Sequence, residues 1–300
     1  MIRLFRWLSR RSLGFLHTLG AGVGWLGYVL SPTYRRRFRD HIAQAGIPAP
    51  AARAAIAEAG RMIAELPFLW LRPESKPLSG FVHIEGGEFV EAAHAQGRGL
   101  LLLTPHLGCF EICAQAYAEH FASQYGPITV LYRPARQLWL REVIEGSRAR
   151  PGLATAPASL AGVRQMIRAL RQGQTVGLLP DQVPPDQMGV WVPFFGKPAY
   201  TMTLASRLSL QTGAPMLLML GERLPQAAGW RVHVLEMPEP MPDVADFDGD
   251  AAAHQQACAA VINRAMEFLI RRCPRQYLWG YHRYKGPRGS GPAPAGEAAP

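Results

Sequence analysis

The hydrophobic pattern begins with a long apolar stretch close to the N-terminus. Residues 12–30 (SLGFLHTLGAGVGWLGYVL) contain no acidic or basic residue except His17. As a helix this stretch would reach roughly 28 Å, which is close to the hydrocarbon thickness of a bilayer. Arginines lie on both sides of it, at positions 3, 6, 10, 11, 35, 36, 37 and 39. The pattern therefore predicts a membrane-anchor segment over residues 1–34.

Two other interpretations of this segment are weaker. A cleaved signal peptide would need a small-x-small cleavage site after Leu30, and the sequence has none there. A buried helix of a soluble protein does not account for the arginines and the tryptophans and tyrosines at both flanks. Five glycines weaken the helix and both flanks are basic, so the sequence leaves open whether the segment spans the bilayer or lies in one leaflet.

The pattern changes after the anchor segment. Residues 35–71 predict helices with a proline-containing break. From residue 80, short apolar runs alternate with amphipathic stretches. They predict strands at 81–86, 100–104, 127–134 and 175–182, and in APMLLMLGERL and WRVHVLEM. They predict helices at 87–97, 108–123, 136–148, 160–173, 203–213 and 250–273, with a long proline-rich loop after residue 182.

This alternation favours an α/β layered fold with a mostly parallel central sheet flanked by helices. We assign it to one domain, residues 35–285. The remaining residues, 286–300, are Gly, Pro and Ala with little to bury, and they predict a disordered tail.

Charge and cysteine content narrow the class of protein. Lys and Arg exceed Asp and Glu by ten, which favours a partner that carries phosphate or acidic groups. The four cysteines form no CxxC pair, so we expect reduced thiols in a domain that faces the cytosol. The sequence has no P-loop, no GxGxxG after a strand, no HExxH and no GxSxG, and we expect neither cofactor nor metal.

The candidate chemistry lies where the strand LLLLT ends. His106 follows this strand and Glu111 comes five residues later, at the start of the next helix. We expect the carboxylate of Glu111 to reach back to one ring nitrogen of His106, which would fix the tautomer and allow the other nitrogen to take a proton from a hydroxyl. The alternative is a surface histidine beside a helix-start carboxylate. Cys109 is a weaker candidate as a nucleophile.

Two further strand ends deliver polar residues to the same edge of the sheet. Arg133 follows the strand in VLYRP, and Asp181 ends TVGLLPDQ. Eight arginines lie between residues 133 and 171, against Glu142 and Glu145. They form either two solvated helix faces or a basic surface for an acidic carrier or a phosphorylated head group.

Five ordered blocks of sequence resemble one known family. They are TPHLGCFE, LYRP, LLPDQ, VPFFGKPAYT and NRAMEFLIRRCPRQYLWGYHRYK. They resemble the bacterial lipid A biosynthesis (late) acyltransferases, within the lysophospholipid and glycerophosphate acyltransferase superfamily. The resemblance implies a glycerophosphate-acyltransferase-like fold in which residues 35–285 form the acyltransferase domain.

The resemblance also implies an activity and its partners. It implies transfer of a fatty acyl group from acyl carrier protein to a hydroxyl of a lipid A precursor, at the cytoplasmic side of the inner membrane. Alternatives are the same chemistry on a phosphatidylinositol mannoside or a lysophospholipid, and a non-catalytic protein that binds anionic membranes. The sequence shows no nucleic-acid-reading motif.

Roles for single residues follow from the resemblance. His106 would be the general base and Glu111 its orienting partner. Arg133 would meet phosphate or the developing oxyanion, and Asp181 would position the head group or support the site. Phe194 and Phe195 would line the pocket wall against lipid. Ala135 departs from the polar residue expected after Tyr-Arg-Pro, which leaves the partner of Arg133 open.

Overall fold

The computed structural model describes residues 2–73, 75–132, 137–148 and 150–287. Arg133 and the tail from residue 288 onward lie outside the described residues, so the predictions made for them remain predictions. The domain boundaries also remain a prediction.

Five helices form the N-terminal region. They are α1 (Ile2–Ser9), α2 (Leu13–Leu30), α3 (Pro32–Gln44), α4 (Ala49–Ala64) and α5 (Leu66–Trp70). Ser12 caps α2 and Ser31 caps α3 through side-chain oxygens that accept backbone N–H bonds. The apolar stretch thus folds as one helix, bounded by the two serines.

The rest of the chain alternates strands and helices. The strands are β1 (Val82–Glu85), β2 (Leu100–Leu103), β3 (Ile128–Tyr132), β4 (Leu153–Pro157), β5 (Thr175–Leu178), β6 (Gly189–Phe194), β7 (Lys197–Met202), β8 (Met216–Arg223) and β9 (Trp230–Glu236). The helices are α6 (Gly87–His94), α7 (Phe110–His120), α8 (Ala122–Tyr125), α9 (Leu138–Arg148), α10 (Leu160–Arg171), α11 (Leu204–Thr212) and α12 (Ala251–Arg272).

Seven strands form the central sheet in the order β1-β9-β8-β2-β5-β3-β4. All neighbours run parallel except β8 and β9. The predicted α/β fold with a mostly parallel sheet is therefore confirmed. Strand β2 lies at the centre, and its four leucines alternate between the cores on the two faces of the sheet.

Two strand regions were not predicted from the sequence. Strand β4 is short and follows a glycine, and β6 and β7 form a separate antiparallel hairpin within the supposed proline-rich loop. The hairpin turns at Phe195 and Gly196, which both have positive φ. Two consecutive residues with positive φ are typical of a tight hairpin turn, and Phe195 adopts this conformation despite its side chain.

Helix α2 packs closely against α4 through glycines. A Cβ atom added at Gly24 would clash with the Ile56 carbonyl oxygen, and one added at Gly60 would clash with the Gly20 carbonyl oxygen. Two of the five glycines that weaken α2 as an isolated helix, Gly20 and Gly24, are therefore required for this contact. The opposite face of α2 exposes large apolar side chains, namely Phe15, Leu19, Val23, Leu26, Val29 and Leu30. By length and composition α2 is long and apolar enough to cross a membrane.

Candidate active site

His106 lies in the turn that connects β2 to α7. Thr104 and Pro105 end the strand, and Gly108 follows with a φ of +59°. A side chain at Gly108 would clash with the carbonyl oxygen of Gly221 on β8. Close packing against β8 therefore explains the glycine at this position.

Asp181 binds His106 at two points. The Nδ1 atom of His106 lies 2.7 Å from Oδ1 of Asp181, and the backbone N–H of His106 donates to Oδ2 at 2.9 Å. The two contacts fix both the ring and the turn that carries it. Because the carboxylate accepts a hydrogen bond from Nδ1–H, the neutral ring keeps Nε2 as the nitrogen that can accept a proton.

Strand order explains how Asp181 reaches His106. The two residues are 75 positions apart in sequence, but β2 and β5 are neighbouring parallel strands, and each residue follows the carboxyl end of its strand. His106 is partly accessible, with 18% of its side chain exposed, while Asp181 is only 1% exposed. The arrangement is a buried carboxylate behind a histidine that reaches the surface of a cavity.

The charge of Asp181 is stabilised from two directions. Burial acts to raise the pKa of Asp181, but attraction and hydrogen bonds from His106 outweigh it and hold that pKa below its ordinary value. The buried guanidinium of Arg283 lowers it further. Arg283 is itself held by the Tyr200 carbonyl and the Thr201 hydroxyl, each at 2.7 Å. Asp181 therefore stays ionised at neutral pH.

Glu111 does not make the contact expected from the sequence. It is the second residue of α7, and its Oε2 atom accepts a hydrogen bond of 3.2 Å from the Trp70 indole N–H. Nδ1 of His106 is bound by Asp181 instead. Asp181 thus takes the place on one ring nitrogen that we expected Glu111 to take, because spacing along the chain does not show which strand ends are neighbours. Glu111 still lines the same cavity as His106.

The cavity at His106 has a volume of about 330 Å³ and a mostly apolar wall. Among the described residues, its polar members are His106, Glu111, Gln115 and Gln182. Its apolar lining comes from α7, from β3, β4 and β5 and the segments that follow them, and from the end of β7: Phe110, Ala114, Val130, Leu131, Leu153, Ala158, Leu179, Val183, Pro184, Pro185 and Met202. Such a cavity, with one basic nitrogen at its wall, suits a long apolar group whose reacting end lies at the histidine.

Phe194 and Phe195 do not line this cavity. They are 2% and 5% exposed and belong to the core, where Phe195 packs on Trp279 with ring centroids 5.9 Å apart. The prediction of a lipid-facing wall was wrong because the hairpin turns these two side chains inward. Met202, at the far end of the same hairpin, contacts the cavity instead.

Comparison with known proteins decides the family. The sequence profile described as "Bacterial lipid A biosynthesis acyltransferase" matches residues 47–286. The chain belongs to this family. It is an acyltransferase, and the family resemblance inferred from five sequence blocks is confirmed.

Named relatives of this acyltransferase agree with the assignment. The lipid A biosynthesis lauroyltransferase of Escherichia coli (strain K12) is 27% identical over 227 residues, covering 75% of this chain and 69% of that protein. The lipid A biosynthesis palmitoleoyltransferase of the same organism is 26% identical over 227 residues, covering 75% and 68%. A lipid A biosynthesis acyltransferase of Haemophilus influenzae is 23% identical over 194 residues, covering 65% and 56%.

A buried ion cluster supports the turn that carries His106, and sequence analysis missed it. Arg223, at the end of β8, binds Glu65 and Glu58, and its Nη2 atom donates to the Gly108 carbonyl at 3.2 Å. Glu65 also contacts His17 of α2 at 3.3 Å. The cluster thus connects the apolar N-terminal helix to the turn that carries His106. Its charged residues lie far apart in sequence, and no local pattern indicates that they meet.

Replacing Cys109 by Ser is expected to retain most acyl transfer. Cys109 is buried, and burial raises its pKa well above the ordinary value, so the nucleophilic thiolate is disfavoured. Turnover of the purified variant, compared with that of Cys113→Ser as a second buried thiol, measures the effect. A folded but inactive Cys109→Ser enzyme would restore the thiol as a nucleophile.

Proposed function

We propose that this acyltransferase moves a fatty acyl group from acyl carrier protein to a hydroxyl of a lipid A precursor, with His106 as general base. The observation that carries the proposal is the pair of His106 and Asp181 at the wall of an apolar cavity. The family assignment supports the acceptor class. The acyl carrier protein as donor follows from the resemblance and from the basic surface of the chain.

The mechanism uses the ring nitrogen that Asp181 leaves available. Nε2 of His106 takes the proton of the acceptor hydroxyl as the hydroxyl oxygen attacks the thioester carbonyl carbon. The tetrahedral intermediate collapses, the carbon–sulfur bond breaks, and the departing thiolate takes the proton from His106. The products are the ester and the free thiol of the carrier, and no acyl-enzyme forms.

Asp181 contributes to this mechanism through His106. It holds the Nδ1–H tautomer and stabilises the imidazolium that forms when Nε2 takes the proton. Glu111 is the second carboxylate at the cavity and is held by Trp70. We retain Glu111 in the proposed site as a group that contacts the substrate. We also retain Arg133 in the proposed site, as a side chain that binds the developing oxyanion or a phosphate group.

We propose that the apolar face of α2 attaches the protein to the inner membrane from its cytoplasmic side. Replacing Leu26, Val29 and Leu30 by Gln is expected to move the protein from the membrane fraction to the soluble fraction. These side chains are exposed, whereas deletion of residues 1–30 would also remove the glycine contact with α4. Extraction of the unaltered protein by high salt alone would contradict attachment through apolar burial, because salt releases only proteins held by charge.

The basic face of α10 is proposed to bind the acidic carrier. Arg164 and Arg168 are exposed and four positions apart, so they share one helix face. Replacing both by Glu is expected to raise the KM for the acyl carrier protein severalfold with little change in kcat, and to reduce the rise of that KM with salt. Equal donor KM and equal salt dependence in both proteins would place the docking face elsewhere.

The proposed function is tested by mass spectrometry of lipid A from cells with and without this gene. The expected result is loss of one acyl chain from lipid A in the deletion strain, restored by the unaltered gene and not by its His106→Ala form. If lipid A is unchanged and another unacylated lipid accumulates, the enzyme catalyses the same reaction on a different acceptor. Unchanged lipids of every class would contradict the catalytic role.

A further inference from the structure

Helix α2 is held by the rest of the protein along its whole length. Five of its residues are buried and recur at helical spacing, which places them on one face: Leu13, Leu16, His17, Gly20 and Gly24. Near the start of the helix, Leu13 belongs to the core on one side of the central sheet, and near its end Tyr28 packs against the core on the other side. The apolar helix is therefore packed onto the α/β part of the chain and is not a separate anchor.

The contact at the middle of α2 brings charged groups beside the helix. Gly20 and Gly24 approach the backbone of α4 so closely that an added Cβ atom would clash. The same part of α4 carries Glu58, which forms ion pairs with Arg61 and with Arg223. If α2 crossed a bilayer, its middle would lie near the centre of the hydrocarbon and would bring this ion cluster close to it. Charged groups are costly at that depth, so the packing favours a helix that lies along the bilayer surface.

The exposed apolar side chains form a strip that runs from α1 to the end of α2. On α1, Leu4 and Trp7 are exposed, and Trp7 packs on Phe15 of α2 with ring centroids 5.8 Å apart. The strip continues along α2 to Leu26 and Leu30, which are among its most exposed side chains. A strip on one side of two helices, with protein packed on the other side, suits insertion into a single leaflet.

Arginines flank the apolar strip at both ends. Residues 1–39 contain eight arginines and no acidic residue. Arg10 is exposed just before α2, and Arg36 is exposed on α3 just after it. The two ends of a helix that lies in one leaflet are at the same layer of head groups, whereas a spanning helix places them at opposite surfaces. Basic residues at both ends therefore match a helix that lies in the plane.

Helix α3 keeps its cations next to the end of the strip. The Nη1 atom of Arg35 donates to the Val29 carbonyl at 3.2 Å, and the Nε atom of Arg39 donates to the Tyr28 hydroxyl at 2.9 Å. Both guanidinium groups thus fold back onto the last turn of α2. Acidic proteins also bind arginines, but here the arginines adjoin exposed apolar side chains, a combination that fits a lipid surface.

We propose that α1 and α2 lie in the plane of one leaflet, and that Arg10 and the arginines of α3 bind phosphate groups of anionic phospholipids in that leaflet. The inference rests on the proposed membrane attachment and adds to it the orientation of the helix and the chemistry of the lipid. Guanidinium groups suit this partner because they form two parallel hydrogen bonds with a phosphate.

Vesicle flotation tests the contacts with phosphate. It compares phosphatidylcholine vesicles with vesicles that contain roughly one-third phosphatidylglycerol. On the anionic vesicles, Arg10→Gln and Arg36→Gln are each expected to lower the binding constant about fivefold, and the double variant about 25-fold. On phosphatidylcholine alone, the variants should bind like the unaltered protein. The matched control combines Arg98→Gln with Arg207→Gln, two exposed arginines before β2 and on α11, and should leave both binding constants unchanged.

The possible outcomes separate the lipid from other partners. Equal binding of the unaltered protein to both kinds of vesicle would overturn the phosphate contacts. A loss confined to one of the two arginines would overturn the placement of both helix ends at the same head groups. Unchanged lipid binding with a raised KM for the acyl carrier protein would assign the arginines to the carrier. If the unaltered protein binds neither kind of vesicle, the membrane attachment itself fails.

Cysteine labelling tests the orientation of α2. One variant carries a polar extension with a single cysteine before residue 1, and another carries Ala43→Cys at the exposed end of α3. The four native cysteines are buried, so a membrane-impermeant maleimide reports the introduced ones. Both are expected to react in inverted membrane vesicles and not in intact spheroplasts. Reaction of the extension in spheroplasts would show that α2 spans the bilayer and would overturn the inference, while the proposed acyl transfer would stand.

Discussion

Replacing Asp181 by Asn is expected to reduce acyl transfer about 10³- to 10⁴-fold while the protein stays folded. The Asn oxygen can still accept the backbone N–H of His106, so its amide NH₂ then faces Nδ1. An NH₂ group donates, which forces Nδ1 to be the acceptor and places the ring proton on Nε2. The histidine then holds a tautomer that cannot take a proton from the acceptor hydroxyl.

Steady-state turnover under saturating substrates measures this effect, with Asp186→Asn as the matched control. Asp186 is exposed in the segment after β5 and does not line the cavity, so its variant should have normal kcat. Because the pKa of Asp181 is held below its ordinary value, the carboxylate stays ionised through neutral pH and its own titration should not appear there. An Asp181→Asn enzyme with near-normal kcat would contradict the orienting role.

Replacing His106 by Ala is expected to reduce kcat by about 10² to 10⁴ because the general base is lost. Binding of the acyl chain should persist, since most of the cavity wall is apolar and unchanged. The measurement is kcat and both KM values for the purified variant, together with its thermal unfolding. His83→Ala is the control, since His83 is exposed on β1.

His106 and Asp181 are expected to act as one unit, and a double variant tests this. Independent losses of activity from His106→Ala and Asp181→Asn would contradict it. Two residues of a single proton-transfer unit are strongly non-additive, so the double variant should be no slower than His106→Ala alone. Losses that multiply in the double variant would show that Asp181 acts elsewhere in the site.

The sequence predicted the layered fold because buried strands and amphipathic helices have different periods. Strand β2 is a run of four leucines, and its place at the centre of the sheet follows from burial on both faces. The hairpin of β6 and β7 was missed because its prolines and glycines are typical of loops. Its tight turn requires a positive φ at Phe195, although a residue with a side chain disfavours that conformation.

The candidate site was also only partly predictable, because its contacts join residues that lie far apart in sequence. The strand ends carrying His106 and Asp181 were identified from the sequence, but their contact depends on β2 and β5 being neighbours. Glu111 is near His106 in sequence, and this proximity favoured Glu111 over Asp181 as the partner of one ring nitrogen. The support from Arg223 to Gly108 links residues 115 positions apart, which no local pattern indicates.

The central claim is that the acyl group passes from the carrier thioester to an acceptor hydroxyl, with His106 as the general base. Its most direct test is a reaction of the purified enzyme with acyl carrier protein bearing a fatty acyl group and a lipid A precursor, followed by mass spectrometry of the lipid and by assay of the released thiol. The predicted result is one acyl chain gained for each thiol released, only when the precursor is present, and at a rate at least a hundredfold lower with His106→Ala. Thiol release without the precursor, or an equal mass gain with His106→Ala, would contradict it.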